Sequence, residues 1–299
     1  MSVRPRSIRL FGVPMDLGQE TRGVDLGPGA IRYAGLRRRL RRLGHTVEDF
    51  GNIEVPVRDQ VDPDERANYI PEIARVCQRM ADAAIKACNE GTTPVFLGGD
   101  HSIAIGSVSG VAQAGRTGVI WVDAHGDYNT PETSPTGNVH GMPVAVLCGD
   151  GPEELVNVGG PGPKLRPEDI VQIGIRDLDD AERERLRDSG ITVFTMRDVD
   201  QRGIGAVTRD ALERLSHLDR LHVSFDLDSL EPREAPGVGT PVHGGLSYRE
   251  AHFLCEIVAD TDRLTSFDLV EVNPILDERN KTASAAVEMA ESIFGASIL

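Results

Sequence analysis

Cysteine is sparse in this chain and poorly placed for metal or redox work. Cys77, Cys88, Cys148 and Cys255 form no C-x-x-C pair and have no histidine at zinc-finger spacing, which excludes a thiolate zinc site and leaves reduced, packed thiols as the expectation. Basic residues are also short, with 32 Lys and Arg against 47 Asp and Glu for a formal net charge of −15. That balance excludes nucleic acid or an anionic membrane face as the main partner. Long apolar runs are missing too: none reaches the length of a bilayer span, so no membrane partner is expected. The stretch MSVRPRSIRLFGVP is interrupted by Arg9 and ended by Pro14-Met15-Asp16 before an apolar h-region forms, so no signal peptide is expected and the cytoplasm is the default location. With no repeat, charge block or low-complexity linker, the 299 residues read as a single domain over 1–299.

What is present is an alternation. Short apolar, β-rich runs at 8–13, 46–51, 94–97, 119–122, 170–175, 191–195, 221–225 and 266–270 predict strands. Between them, amphipathic stretches at 29–43, 66–89, 181–188, 204–215, 248–259 and 282–294 predict helices. Continuously apolar strands suit a parallel sheet covered on both faces, and an eight-unit barrel fits the same pattern. Two long segments lack any periodicity, 123–140 and 226–245, and both start where a strand ends. That rim is where α/β proteins build ligand sites.

Three motifs sit at such strand exits: GGDH at 98–101, DAHGD at 123–127 and DLD at 226–228. In an extended segment Asp123, His125 and Asp127 point one way, as do Asp226 and Asp228. Each motif alone has a plainer explanation. The acids of D-x-H-x-D can cap turns, and Asp100 and Ser102 can cap a helix starting near Ile103. Together, the motifs offer four carboxylates and two imidazoles, a set suited to two divalent ions about 3.5–4 Å apart. The oxygen-rich, thiolate-free mix points to manganese before zinc, with magnesium and iron left open.

With GGDHS, DAHGDYNTPETSPTGNVHGMP, SFDLDSLEP, GTPVHGGLSYRE and EVNP in this order, and Gly12-Val13-Pro14 and Gly27-Pro28 ahead of them, the chain resembles the arginases of the ureohydrolase family nearly end to end. The resemblance implies a three-layer α/β/α sandwich around a largely parallel eight-stranded sheet. It also implies two Mn2+ per subunit, one held by His101 and Asp127, the other by His125 and Asp228, with Asp123 and Asp226 bridging. His140 then corresponds to a proton-shuttling histidine and Glu271 to the acid that anchors the guanidinium. Asn129 and Thr136 fall where the substrate's α-carboxylate is held, Asp179 faces its α-ammonium with Glu182 nearby, and Thr240 lies in a loop closing beside the substrate. Thr136 stands where a serine is common and Glu231 where an aspartate is usual. Relatives assemble as trimers or hexamers, and the resemblance implies a homo-oligomer here. The roles of Arg22 and of the arginine-rich 37–42 stripe, either a solvated helix face or an intersubunit ion-pair surface, stay open.

The implied reaction is hydrolysis of L-arginine to L-ornithine and urea. A guanidinium is cationic at physiological pH and its resonance makes the carbon a poor electrophile, so attack needs a strong nucleophile held in place, here a metal-bridging hydroxide. Catalysis is expected to fall to His140, Asp127 and Glu271. Two alternatives remain: the same chemistry on agmatine or another guanidine, and a non-catalytic metal-stabilised scaffold.

Overall fold

A computed structural model describes residues 4–61 and 69–296. Eight strands form one sheet: β1 (Ser7–Val13), β2 (Thr46–Asn52), β3 (Thr93–Gly98), β4 (Thr117–Val122), β5 (Ile170–Ile175), β6 (Thr192–Thr195), β7 (Arg220–Asp226) and β8 (Leu264–Val270). Their order is β2-β1-β3-β8-β7-β4-β5-β6, with every pair parallel.

Alternation of side chains along the strands builds two cores. Val95 and Leu97, Ile120 and Val122 join one apolar cluster with the helices Leu36–Arg42, Ile204–Arg214, Tyr248–Ala259 and Lys281–Ile293. Phe96, Val119 and Trp121 face the other side, against Ile70–Asn89, Ala104–Gln113 and Pro143–Leu147. The result is a three-layer α/β/α sandwich, and the barrel is excluded.

Most expected elements appear within a few residues. The helix expected over 29–43 is two, Gly27–Tyr33 and Leu36–Arg42, because Gly35 takes φ 92°, a left-handed conformation that ends a helix. The helix expected over 66–89 is Ile70–Asn89, and 66–68 lie outside the described residues. Ala104–Gln113 escaped periodicity because it is buried nearly all round. There, a Cβ at Gly106 or Gly110 would come within 2.6 or 2.5 Å of the carbonyls of Cys77 and Ala81, so both positions must be glycine for the helices to touch. Within the 37–42 stripe, Arg39 pairs with Glu288 and Glu291 of this chain, and Arg37 and Arg41 donate to the Val47 carbonyl.

Candidate metal centre and active-site cleft

The exits of four neighbouring strands, β3, β8, β7 and β4, carry the acids and histidines of the site. After β3 the chain turns at Gly99, where a Cβ would sit 2.2 Å from the Met15 carbonyl. Asp100 is a cap, accepting from the amides of Ser102 (3.0 Å) and Gly18 (2.8 Å). The capping explanation therefore holds for Asp100, while His101 turns inward. Its Nδ1 lies 3.0 Å from Asp123, 3.1 Å from Asp127 and 3.1 Å from Asp226, and its Nε2 lies 2.8 Å from the Ser224 hydroxyl.

His125 Nδ1 sits 3.1 Å from Asp228 and 3.4 Å from Asp123. Asp123 is oriented from both sides, accepting from the His125 amide (2.7 Å) and the Trp121 indole (2.9 Å). Asp226 accepts from the Asp228 amide (2.8 Å), and Asp228 accepts from the Ala124 amide (3.2 Å) and the Thr240 hydroxyl (3.1 Å).

The convergence does not come from extended alternation, as the spacing suggested. β4 ends at Val122 and Asp127 has φ 50°, while Asp228 sits in a 3-10 turn, Leu227–Ser229, one step past β7. Turns, not continued strands, aim these side chains. A non-glycine residue at positive φ is strained and persists where its surroundings over-determine it. Glu271, at φ 62°, is a second such residue in the site.

The residues fit a pair of cations. They fall into two groups, His101 with Asp123 and Asp226, and Asp123 with His125 and Asp228, so Asp123 is shared. His101 Nδ1 and Asp127 Oδ2 are buried 3.1 Å apart yet misaligned for a hydrogen bond to each other or to any other group among the described residues. Burial and then the charge of Asp123 push Asp127 up to about 6, and burial, Asp228 and Asp123 raise Asp226 strongly. Buried carboxylates crowded this way are relieved by a cation between them. Carboxylate oxygens with two imidazoles and no thiolate suit a divalent metal of the harder kind.

Above the cluster opens a cleft of about 170 Å³, lined among others by His125, Asp127, Asn129, Thr136, His140, Asp179, Glu182 and Thr240. Asn129 donates to Asp179 at 3.0 Å, which brings the two expected ends of amino-acid recognition together. Glu182 is buried beneath them, accepts from the Tyr128 amide at 2.8 Å, and is pushed up to about 8, chiefly by burial. Glu231 meets no cluster residue; it pins the amides of Gly244 and Gly245. Arg22 pairs with Asp59 at 2.7 Å.

Glu271 differs from its expected placement. It is 1% exposed and is not among the residues lining the cleft. Gln19 (2.7 Å), the His101 amide (2.9 Å) and His140 Nδ1 (3.0 Å) surround its carboxylate. His101 and His140 share Oε1 while Oε2 takes Gln19, so Glu271 positions His140 and keeps acceptor capacity on Oε2. Gln19, Ser134, Asn138 and Asp177, the last three lining the cleft, were not singled out from the sequence. The stretch T-S-P-T-G-N holds a signal for Ser134 and Asn138, because the hydroxyl and amide flank Thr136 in the same loop. Gln19 has none.

Fold and cluster together define an α/β protein with a candidate divalent-metal centre at the rim of its sheet. The Arginase family profile matches residues 6–295. The arginase of Bacillus subtilis (strain 168) is 50% identical over 295 residues, 98% of this chain and 99% of that one, and the arginase of Bacillus caldovelox is 48% identical over 298 residues, 98% and 100%. The native crystal structure of the Bacillus caldovelox arginase superposes with a TM-score of 0.95 at 48% identity, covering 98% of this chain and 100% of that one. The chain belongs to the arginase family.

Proposed function

We propose that the protein hydrolyses the guanidinium group of L-arginine to L-ornithine and urea, using two Mn2+ held by His101, Asp123, His125, Asp127, Asp226 and Asp228. The observation that carries this is the double grouping around Asp123 at the floor of a cleft whose wall holds the Asn129–Asp179 contact. When bound, the cations supply Lewis acidity that makes a nearby water acidic enough to act as hydroxide near neutral pH.

This chain's residues do the rest. Asn129 and Thr136 hold the α-carboxylate and Asp179 faces the α-ammonium, with Glu182 supporting that wall. Thr240, donating to Asp228, closes the opposite side. Asp127 accepts the nucleophile's proton as the carbon becomes tetrahedral and passes it to the departing nitrogen as the C–N bond breaks. His140 delivers a proton to the departing amine nitrogen, and Glu271 holds that imidazole in place. Family membership supports a homo-oligomeric, cytoplasmic enzyme, hexamer or trimer. Among the described residues no helix is long and apolar enough to cross a membrane.

Urea release from arginine measured beside agmatine, before and after metal removal and manganese return, tests the proposal. Preference for arginine, lost and restored with metal, is expected. Preference for agmatine overturns the substrate, and output indifferent to metal overturns the mechanism.

A further inference from the structure

Arg176 follows β5 and is partly buried, yet forms no ion pair among the described residues and does not line the cleft. Its guanidinium donates instead to backbone carbonyls: Nη2 to Asp228 and Val242, both at 2.7 Å, and to Leu230 at 3.3 Å, Nη1 to Ser229 and Gly174 at 3.3 Å, and Nε to Val242 at 3.3 Å. The planar fork thereby lashes two distant stretches together, the turn that carries Asp228 and the strap that follows Thr240. The strap packs directly on it, since a Cβ at Gly245 would lie 2.7 Å from Nη2. Burial works against the Arg176 charge, and Asp228, Asp123, Glu231 and Asp226 work for it. A lysine ammonium, with three donors and no fork, cannot span this set of carbonyls.

We propose that Arg176 is the positioning residue for the His125 half of the centre: by clamping the Asp228 turn to the Thr240 strap, it sets how tightly that half holds its cation, independently of the His101 half. The inference rests on the two-cation reading above. Groups that orient metal ligands typically change affinity 10- to 100-fold when removed.

The test is manganese titration of metal-free wild type, Arg176→Gln and Arg176→Lys, followed by metal analysis and by the electron paramagnetic resonance signal of a coupled manganese pair, with circular dichroism reporting the folded fraction. The expected result is two ions in the wild type, and in both variants an unchanged first ion with a second weakened about 10- to 100-fold. Lysine restores the charge but not the clamp, so wild-type affinity in Arg176→Lys overturns the proposal. So does loss of both ions in step with the folded fraction. If Arg176→Gln fails to fold, Arg176→Lys decides on the same readout. A wild type holding one ion removes the two-cation reading and this inference together, whereas two equally tight ions in all three proteins removes this inference alone.

Discussion

The indole of Trp121 lies flat against the imidazole of His101, ring centroids 4.1 Å apart and planes 11° from parallel, and its N–H is donated to Asp123. Trp121 is the chain's single tryptophan. Its fluorescence is therefore expected to be quenched when manganese is added to metal-free protein, saturating at two ions per chain. Trp121→Phe keeps a ring against His101 and loses the hydrogen bond to Asp123, so metal retention against a chelator is expected to fall about tenfold. Undiminished retention would show that Asp123 needs no such orientation.

The shared position of Asp123 separates it from its neighbours. Asp123→Asn is expected to lose both ions, because it belongs to both groups. Asp228→Asn is expected to keep the ion beside His101, and Asp226→Ala to lose at least one ion and most activity. Metal analysis after gel filtration distinguishes these cases; equal stoichiometry in all three variants contradicts the division into halves.

His140 stands outside both groups. His140→Ala is expected to retain both ions and to slow turnover on the order of a hundredfold. Turnover and metal content measured on the same sample decide it, and an unimpaired rate takes His140 out of proton delivery.

The buried pair of His140 and Glu271 has a pH signature. Burial by itself would lower the His140 pKa, but the hydrogen bond and charge of Glu271 carry it from 6.5 up to about 9. Burial would raise Glu271, yet His140 and its other donors hold it below 4.5. A raised histidine contributes stability that is complete below its unfolded pKa and is lost as pH rises through the folded one. The lowered glutamate contributes above 4.5 and loses its share as pH falls further. Urea denaturation of metal-free protein is thus expected to show wild type more stable than His140→Ala at mildly acidic pH, with the gap closing as pH passes about 9. A gap constant across that range would separate stability from this pair.

Substrate discrimination is expected to lie in the cleft wall. Asn129→Ala and Asp179→Ala should each raise KM for arginine about tenfold or more, through lost hydrogen bonds to charged groups, while agmatine, lacking the carboxylate, is little affected by the first. Parallel loss on both substrates for Asn129→Ala would remove Asn129 from carboxylate recognition.

The strand-helix alternation and the cluster residues were legible in the sequence because both depend on local pattern, whereas sandwich rather than barrel followed only from the family resemblance. Apolar strands such as Val119–Val122 announce burial on two faces, and three acid-histidine motifs at strand exits announce a rim site. What stayed hidden depends on contacts across the chain. Gln19 reaches Glu271 over 252 positions, and Ser224 meets His101 over 123. No spacing rule announces either pair. The backbone at Asp127 and Glu271 was equally hidden, since positive φ in an aspartate or glutamate is imposed by its surroundings. Arg176 gave no signal because its partners are carbonyls, which every residue has.

The strand order has a consequence for biogenesis. β3 pairs with β1 on one side and β8 on the other, and β8 alone links β3 to β7. Until the ribosome has released Leu264–Val270, no strand is available to join β3, which leads to His101, to β7 and β4, which lead to the other five residues of the cluster. The nascent polypeptide must keep these open edges apart from other chains until its last strand arrives, which makes the closing stages of synthesis its period of greatest exposure to aggregation.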